Sequence, residues 1–153
     1  MPDGRPVNED FHDLLAALSE VGARFLIVGA YAVSFHAEPR ATGDLDIWVD
    51  ATPENAGRVL GALRAFGAPL HELTERDLAT ADVVFQIGLP PRRIDILTSI
   101  TGVTFDEAWP DRDEVTYGEV RCPIIGREAL IRNKTALGRP KDLIDVDLLR
   151  RRS

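Results

Sequence analysis

The apolar residues of the chain follow two spacings, one typical of helices and one typical of strands. Apolar residues three or four positions apart predict helices at about 8–22, 53–67, 126–137 and 140–150. Short apolar runs and alternating patterns predict strands at about 24–28, 44–49, 83–87 and 93–97. A brief helix should begin at Gly29 and end near His36, because Pro39 prevents its continuation.

The order of these elements predicts an α/β (α+β) fold, in which helices pack against a mixed sheet of about four to five strands. A small hairpin is expected at 115–121 and a helical turn at 105–109. Residues 70–81 fit either a short helix or an ordered loop. The 153 residues are sufficient for one domain, preceded by a loose segment at 1–7.

Charge and composition exclude several functional classes. The formal net charge of −7 argues against tight nonspecific binding to a nucleic-acid backbone, although it leaves room for a local basic groove. The single cysteine, Cys122, cannot form an internal disulfide. The sequence has no leader of basic then apolar residues and no apolar run that could span a membrane. These features predict a cytoplasmic protein with no membrane partner.

Two aspartates interrupt the second predicted strand. Asp44 and Asp46 are one residue apart, so strand alternation places both carboxylates on one face. Trp48 shares that face and could stack on a base or simply pack in the core. Neighbouring carboxylates repel each other unless they are solvated, protonated or sharing a cation. The pair therefore marks either a solvated sheet rim or a divalent metal site.

A third carboxylate and a glycine favour the metal site. Asp95 lies on the predicted strand 93–97, and it would join the first two aspartates if strand 44–49 were its neighbour. Three such oxygen ligands suit Mg²⁺ or Mn²⁺, which takes phosphate oxygens as its other ligands. Gly29, at the start of a helix, would let a phosphate approach backbone N–H groups. Each feature alone is weak, and their combination carries the inference.

Together these residues resemble the signature of the DNA polymerase β-like nucleotidyltransferase superfamily. That signature is a hydrophobic residue followed by Gly-Gly or Gly-Ser, then Asp-x-Asp in a strand, then an acidic residue on a later strand. Its counterparts here are Val28-Gly29-Ala30, Asp44-Leu45-Asp46 and Asp95. The chain departs from the pattern at Ala30, which lacks the hydroxyl of serine, and this departure bears on activity more than on fold.

Two further segments resemble a small prokaryotic branch of that superfamily. Residues 40–46 are similar to its Arg-x-Thr-x-Asp-x-Asp motif. Residues 133–145 resemble the C-terminal motif of abortive-infection toxins of the AbiEii type. The resemblance therefore spans about residues 25–147, most of the chain.

The resemblance implies a magnesium- or manganese-dependent enzyme that transfers a nucleoside monophosphate from an NTP to an acceptor hydroxyl. Asp44, Asp46 and Asp95 would hold the metals, and Asp95 would also help to deprotonate the acceptor. The residues implied in nucleotide binding are Gly29, Ala30, Arg40, Thr42 and Lys134. The acceptor could be a tRNA end, a protein side chain or a small molecule.

Lys134 also stands out without the resemblance. On a helical wheel it falls on the apolar side of its helix, so its ammonium must either snorkel to solvent or reach an anion near the core. A nucleotide triphosphate is one such anion. Lys141, Asp142 and Asp145 either form part of the same site or merely suit the ends of a helix.

Two other functional classes remain open at this point. The chain could be a noncatalytic partner with this fold, paired with an antitoxin-like protein, which the altered turn at Ala30 would suit. It could also be a sensor that binds NTP without turnover. The three carboxylates favour the enzyme, because a scaffold has no need of three acids on one surface.

Overall fold

The computed structural model describes residues 8–39 and 43–151. Its elements in chain order are α1 (Glu9–Glu20), β1 (Phe25–Val28), α2 (Gly29–His36), β2 (Leu45–Val49), α3 (Pro53–Phe66), α4 (Glu75–Leu78), β3 (Val84–Ile87), β4 (Ile94–Leu97), α5 (Phe105–Ala108), β5 (Asp113–Tyr117), β6 (Val120–Ile124), α6 (Arg127–Leu137) and α7 (Pro140–Arg151). A short 3₁₀ helix at Trp109–Asp111 follows α5. No helix in these ranges is long and apolar enough to cross a membrane.

The strands form one mixed sheet in the order β3-β4-β2-β1-β6-β5. β2 pairs with β1 antiparallel and with β4 parallel. The predicted mixed α/β architecture is confirmed, but the sheet has six strands rather than four to five. The difference arises at the hairpin, where β6 continues past its turn and pairs parallel with β1 through Ile27 and Ile124.

Helix ends follow from local chemistry. The side chain of Asn8 caps α1 and that of Thr52 caps α3, with Pro53 in the first turn. Gly67 ends α3 in the left-handed conformation, with φ +88°. The ambiguous stretch 70–81 contains α4, which begins at a capping box between Thr74 and Asp77.

The centre of the sheet is covered on both faces. Leu45, Ile47 and Val49 are fully buried on one face of β2. On the opposite face Trp48 is buried against Phe105 of α5, with ring centroids 5.1 Å apart. Trp48 therefore packs in the core, and a base does not stack on it in this arrangement.

Helix α6 is fixed to the loop that follows β4. The side-chain amide of Asn133 donates to the carbonyl of Thr101 at 2.9 Å. Gly102 lies so close to Ala136 that a Cβ at position 102 would overlap the Ala136 Cβ and press on the Arg132 carbonyl. Because this loop continues directly from β4, the contact sets the position of α6, and with it Lys134, relative to the sheet.

Candidate active site

The predicted convergence of the aspartates depends on strand order, and the order is the one required. Asp46 on β2 and Asp95 on β4 are direct partners in the parallel ladder. Asp44 lies one residue before β2, and its Oδ1 accepts a hydrogen bond from the backbone N–H of Arg93 at 2.9 Å. The Leu45 N–H donates to the Arg93 carbonyl at 2.9 Å. The ends of two adjacent strands thus place three carboxylates together.

Arg93 links two of these carboxylates. Its Nε donates to Asp95 Oδ1 at 2.8 Å and one terminal nitrogen donates to Asp95 Oδ2 at 3.3 Å. The same terminal nitrogen lies 3.6 Å from Asp44 Oδ2. Sequence reasoning missed this residue as part of the site. The sequence does carry a signal for Arg93, because alternation along the strand places Arg93 and Asp95 on one face.

Asp46 is the electrostatically strained member of the group. Its pKa is raised to about 6, first by burial and then by the negative charges of Asp95 and Asp44. The positive charges of Arg93 and Lys134 act in the opposite direction. A bound cation would relieve this carboxylate.

The turn between β1 and α2 approaches Asp46 closely. Gly29 has φ +70°, a region that favours glycine, and a Cβ there would overlap Asp46 Oδ2. Among the residues that the structure describes, no side chain caps the N-terminus of α2. The first backbone N–H groups of this helix therefore begin next to the carboxylates, which is the setting in which helix N-termini bind phosphates.

Comparisons with protein-family models and with curated sequences find no match. Solved structures do resemble the chain. Lincomycin-bound lincosamide antibiotic adenylyltransferase LnuA matches with a TM-score of 0.59 and 15% identity, covering 97% of this chain and 100% of that one. ANT(2'')-Ia in complex with adenylyl-2''-tobramycin matches with a TM-score of 0.59 and 18% identity, covering 91% and 84%. TM1012 of Thermotoga maritima, a candidate nucleotidyltransferase, matches with a TM-score of 0.57 and 12% identity, covering 94% and 94%.

The chain has a nucleotidyltransferase fold. At these low sequence identities, the structural similarity establishes only the shared fold. The narrower resemblance to abortive-infection toxins stays a prediction.

Within the nucleotidyltransferase fold, Lys134 neither snorkels to bulk solvent nor lies far from the carboxylates. Its side chain is 12% exposed, and its Nζ lies 3.5 Å from Asp142 Oδ1 and 3.3 Å from Asp145 Oδ2. Its charge is close enough to lower the pKa of Asp46. Lys134 thus stands between the carboxylates of α7 and those of the sheet.

Asp142 holds the beginning of α7 in place. Its carboxylate is fully buried and accepts hydrogen bonds from the backbone and guanidinium of Arg139, which lower its pKa to about 2. The positive charge of Lys134 contributes to the same lowering of the Asp142 pKa. Lys141 is exposed on α7 and belongs to no ion pair among the described residues.

Two of the predicted nucleotide-binding residues, Arg40 and Thr42, lie outside the described residues. Ala30 is the second residue of α2 and is half-buried. Its place beside Gly29 agrees with the predicted turn, whereas its contribution to nucleotide binding stays a prediction.

The donor chemistry of this nucleotidyltransferase-fold site fits a hard divalent cation. Asp44, Asp46 and Asp95 supply carboxylate oxygens from rigid strand ends, as Mg²⁺ and Mn²⁺ prefer. In residues 8–39 and 43–151 no three acidic, histidine or cysteine side chains are gathered tightly enough to hold a metal ion. Both oxygens of Asp95 contact Arg93 instead. The three aspartates therefore supply the type of donor that such a cation prefers, while in this arrangement Asp95 is held by Arg93.

Proposed function

We propose that the protein is a metal-dependent nucleotidyltransferase that moves a nucleoside monophosphate from an NTP to an acceptor hydroxyl. The observation that supports this best is the pairing of Asp46 with Asp95 across β2 and β4, with Asp44 alongside. The proposal is also supported by a structural neighbour, LnuA, which is named as an adenylyltransferase.

Each carboxylate has its own role in this proposal. Asp44, Asp46 and Asp95 would hold Mg²⁺ or Mn²⁺. When bound there, the cation would supply positive charge to the phosphate oxygens of the nucleotide. Asp95 also accepts the proton of the acceptor hydroxyl, because its strand, β4, lies nearer the sheet edge at β3 than the strand that carries Asp46.

The nucleotide phosphates lie against the start of α2 and Lys134. The uncapped N–H groups after Gly29 and Ala30 bind phosphate oxygens, and Lys134 balances their charge from α6. Arg40 and Thr42, which precede β2 in the sequence, assist in binding the nucleotide. In the transfer the acceptor oxygen bonds to the α-phosphorus while the bond from that phosphorus to the pyrophosphate oxygen breaks.

The acceptor we favour is a hydroxyl-bearing small molecule. LnuA binds lincomycin, and ANT(2'')-Ia carries an adenylylated tobramycin. The net charge of −7 makes a polyanionic RNA acceptor less suited than a neutral or cationic compound. ATP is the first donor to test, because both named neighbours concern adenylyl transfer.

The test is a transfer assay with ATP labelled at the α-phosphate and Mg²⁺. The acceptors are a lincosamide and aminoglycoside panel, tRNA, and protein from a cell lysate, each run with Asp46→Asn as a control. We expect label on a small-molecule hydroxyl with the natural protein and none with the variant. ATP binding without labelling of any acceptor would instead support the NTP sensor or the noncatalytic partner of an antitoxin-like protein.

A further inference from the structure

We propose that Arg93 is a built-in counter-ion that holds Asp95 and Asp44 when no divalent cation is bound, and that it must release them before a cation can bind. Arg93 thereby sets the affinity of the site for metal. This inference rests on the proposed metal-dependent function and adds a positioning residue to it.

The guanidinium of Arg93 contacts the carboxylate oxygens as a bound cation would. Its guanidinium engages both oxygens of Asp95, at 2.8 and 3.3 Å, in the bidentate arrangement that is strongest for this pair of groups. It also reaches Asp44 Oδ2 at 3.6 Å. One positive group therefore bridges two of the three carboxylates, so a metal ion must compete with it for the same oxygens.

The bridge can open without disturbing the sheet. Arg93 immediately precedes β4, and its backbone contacts to Leu45 and Asp44 do not involve the guanidinium. The side chain is 28% exposed, whereas that of Asp95 is 13% exposed. A long side chain with an outlet to solvent can swing away while its backbone stays in place.

Retention of the guanidinium beside a bound divalent ion would be unfavourable. Both would share oxygens of Asp95, and two cations at that distance repel each other in a partly buried site.

The sequence offers a matched control in Arg92, the adjacent residue, which is exposed and makes no ion pair with another described residue.

The test is the affinity for Mn²⁺ without nucleotide, measured by calorimetry or by electron paramagnetic resonance. Arg93→Gln should bind Mn²⁺ about tenfold more tightly than the natural protein, because the competing charge is gone. The metal-free variant should also melt at a lower temperature, and saturating Mn²⁺ should raise its Tm more than that of the natural protein. Arg92→Gln should match the natural protein in both measurements.

Three results would overturn the inference. Weaker Mn²⁺ binding by Arg93→Gln would mean that Arg93 orients the carboxylates for metal, and unchanged binding would mean that it does not compete. If Arg93→Gln does not fold, Arg93→Lys takes its place in the test. A single ammonium cannot make the bidentate contact, so this variant should bind Mn²⁺ severalfold more tightly than the natural protein. Absence of Mn²⁺ binding to every protein, with or without ATP, would overturn the proposed function together with this inference.

Discussion

Asp46 and Asp95 face the same side of the sheet as direct partners on β2 and β4, although a long stretch of chain separates them. β3 and its turn lie between them in sequence but at the edge of the sheet. The pairing creates a like-charge contact within a partly buried site.

The first prediction concerns pH. The folded-state pKa of Asp46 is about 6, above its ordinary value of 3.8, so the folded protein binds this proton more tightly than the unfolded chain. The stabilisation is present below about pH 4 and is lost as the pH rises through 6. Without metal, the natural protein should therefore lose on the order of 2 kcal/mol of unfolding free energy between pH 4 and 7. Asp46→Asn should not show this loss.

Urea unfolding at both pH values measures this difference. The comparison between the natural protein and Asp46→Asn removes the contribution of acids far from the site, so the difference reports Asp46 together with its repulsion by Asp44 and Asp95. The same pH dependence in the two proteins would contradict the raised pKa.

A second prediction concerns ligand binding. Mg²⁺ with ATP at about a hundred times the dissociation constant should raise the unfolding free energy by roughly 2.7 kcal/mol. Asp46→Asn should lose this gain, whereas Asp10→Asn, an exposed change on α1, should keep it. Thermal melts with and without metal and nucleotide provide the measurement, and identical curves for the natural protein would count against both enzyme and sensor.

The third prediction separates binding from transfer through Asp95. Asp95→Asn should retain much of the ATP affinity while transfer falls by about two orders of magnitude, because the group that takes the acceptor proton is lost. The measurements are ATP affinity by calorimetry and the single-turnover rate of transfer. Equal losses in affinity and rate would place Asp95 in nucleotide binding alone.

Lys134 provides a fourth prediction, with Lys141 as its control. Lys134→Met leaves the buried Asp142 and Asp145 with one cation fewer, which should lower the unfolding free energy by about 1–3 kcal/mol. It should also weaken ATP binding by about tenfold, since a charge beside the phosphates is removed. Lys141→Met deletes an equal charge from an exposed position and should change neither quantity.

Urea unfolding and calorimetric titration with ATP give the two quantities. Loss of stability with unchanged ATP affinity would make Lys134 an ion-pair residue with no part in nucleotide binding.

The fifth prediction tests the turn at Gly29. Gly29→Ala forces a side chain into a left-handed backbone and against Asp46, so the unfolding free energy should fall by about 1–3 kcal/mol. Gly61→Ala, in the interior of α3 with open space around it, should instead raise it by about 0.5–1 kcal/mol. Denaturant unfolding of both variants checks the contrast, and equal effects would mean that the close approach at Gly29 is tolerated.

Much of the fold could be predicted because its signals are local. Asn8 and Thr52 each cap a helix, and the helical spacing of apolar residues follows each cap. These signals depend on residues within a few positions of one another. The hairpin shows what local signals do not determine. The sequence pattern predicts its two strands, but the pairing of β6 with β1 joins distant segments, so the sheet has more strands than predicted.

The sequence alone determined the candidate carboxylates, the glycine turn and the apolar position of Lys134, because composition and periodicity carry that information. Only the tertiary structure decided which groups meet. Strand order placed Asp95 beside Asp46, the two strand ends gave Arg93 its pair of carboxylates, and the packing of α6 against α7 gave Lys134 its partners. These contacts depend on which distant surfaces bury each other best, and that competition involves the whole chain.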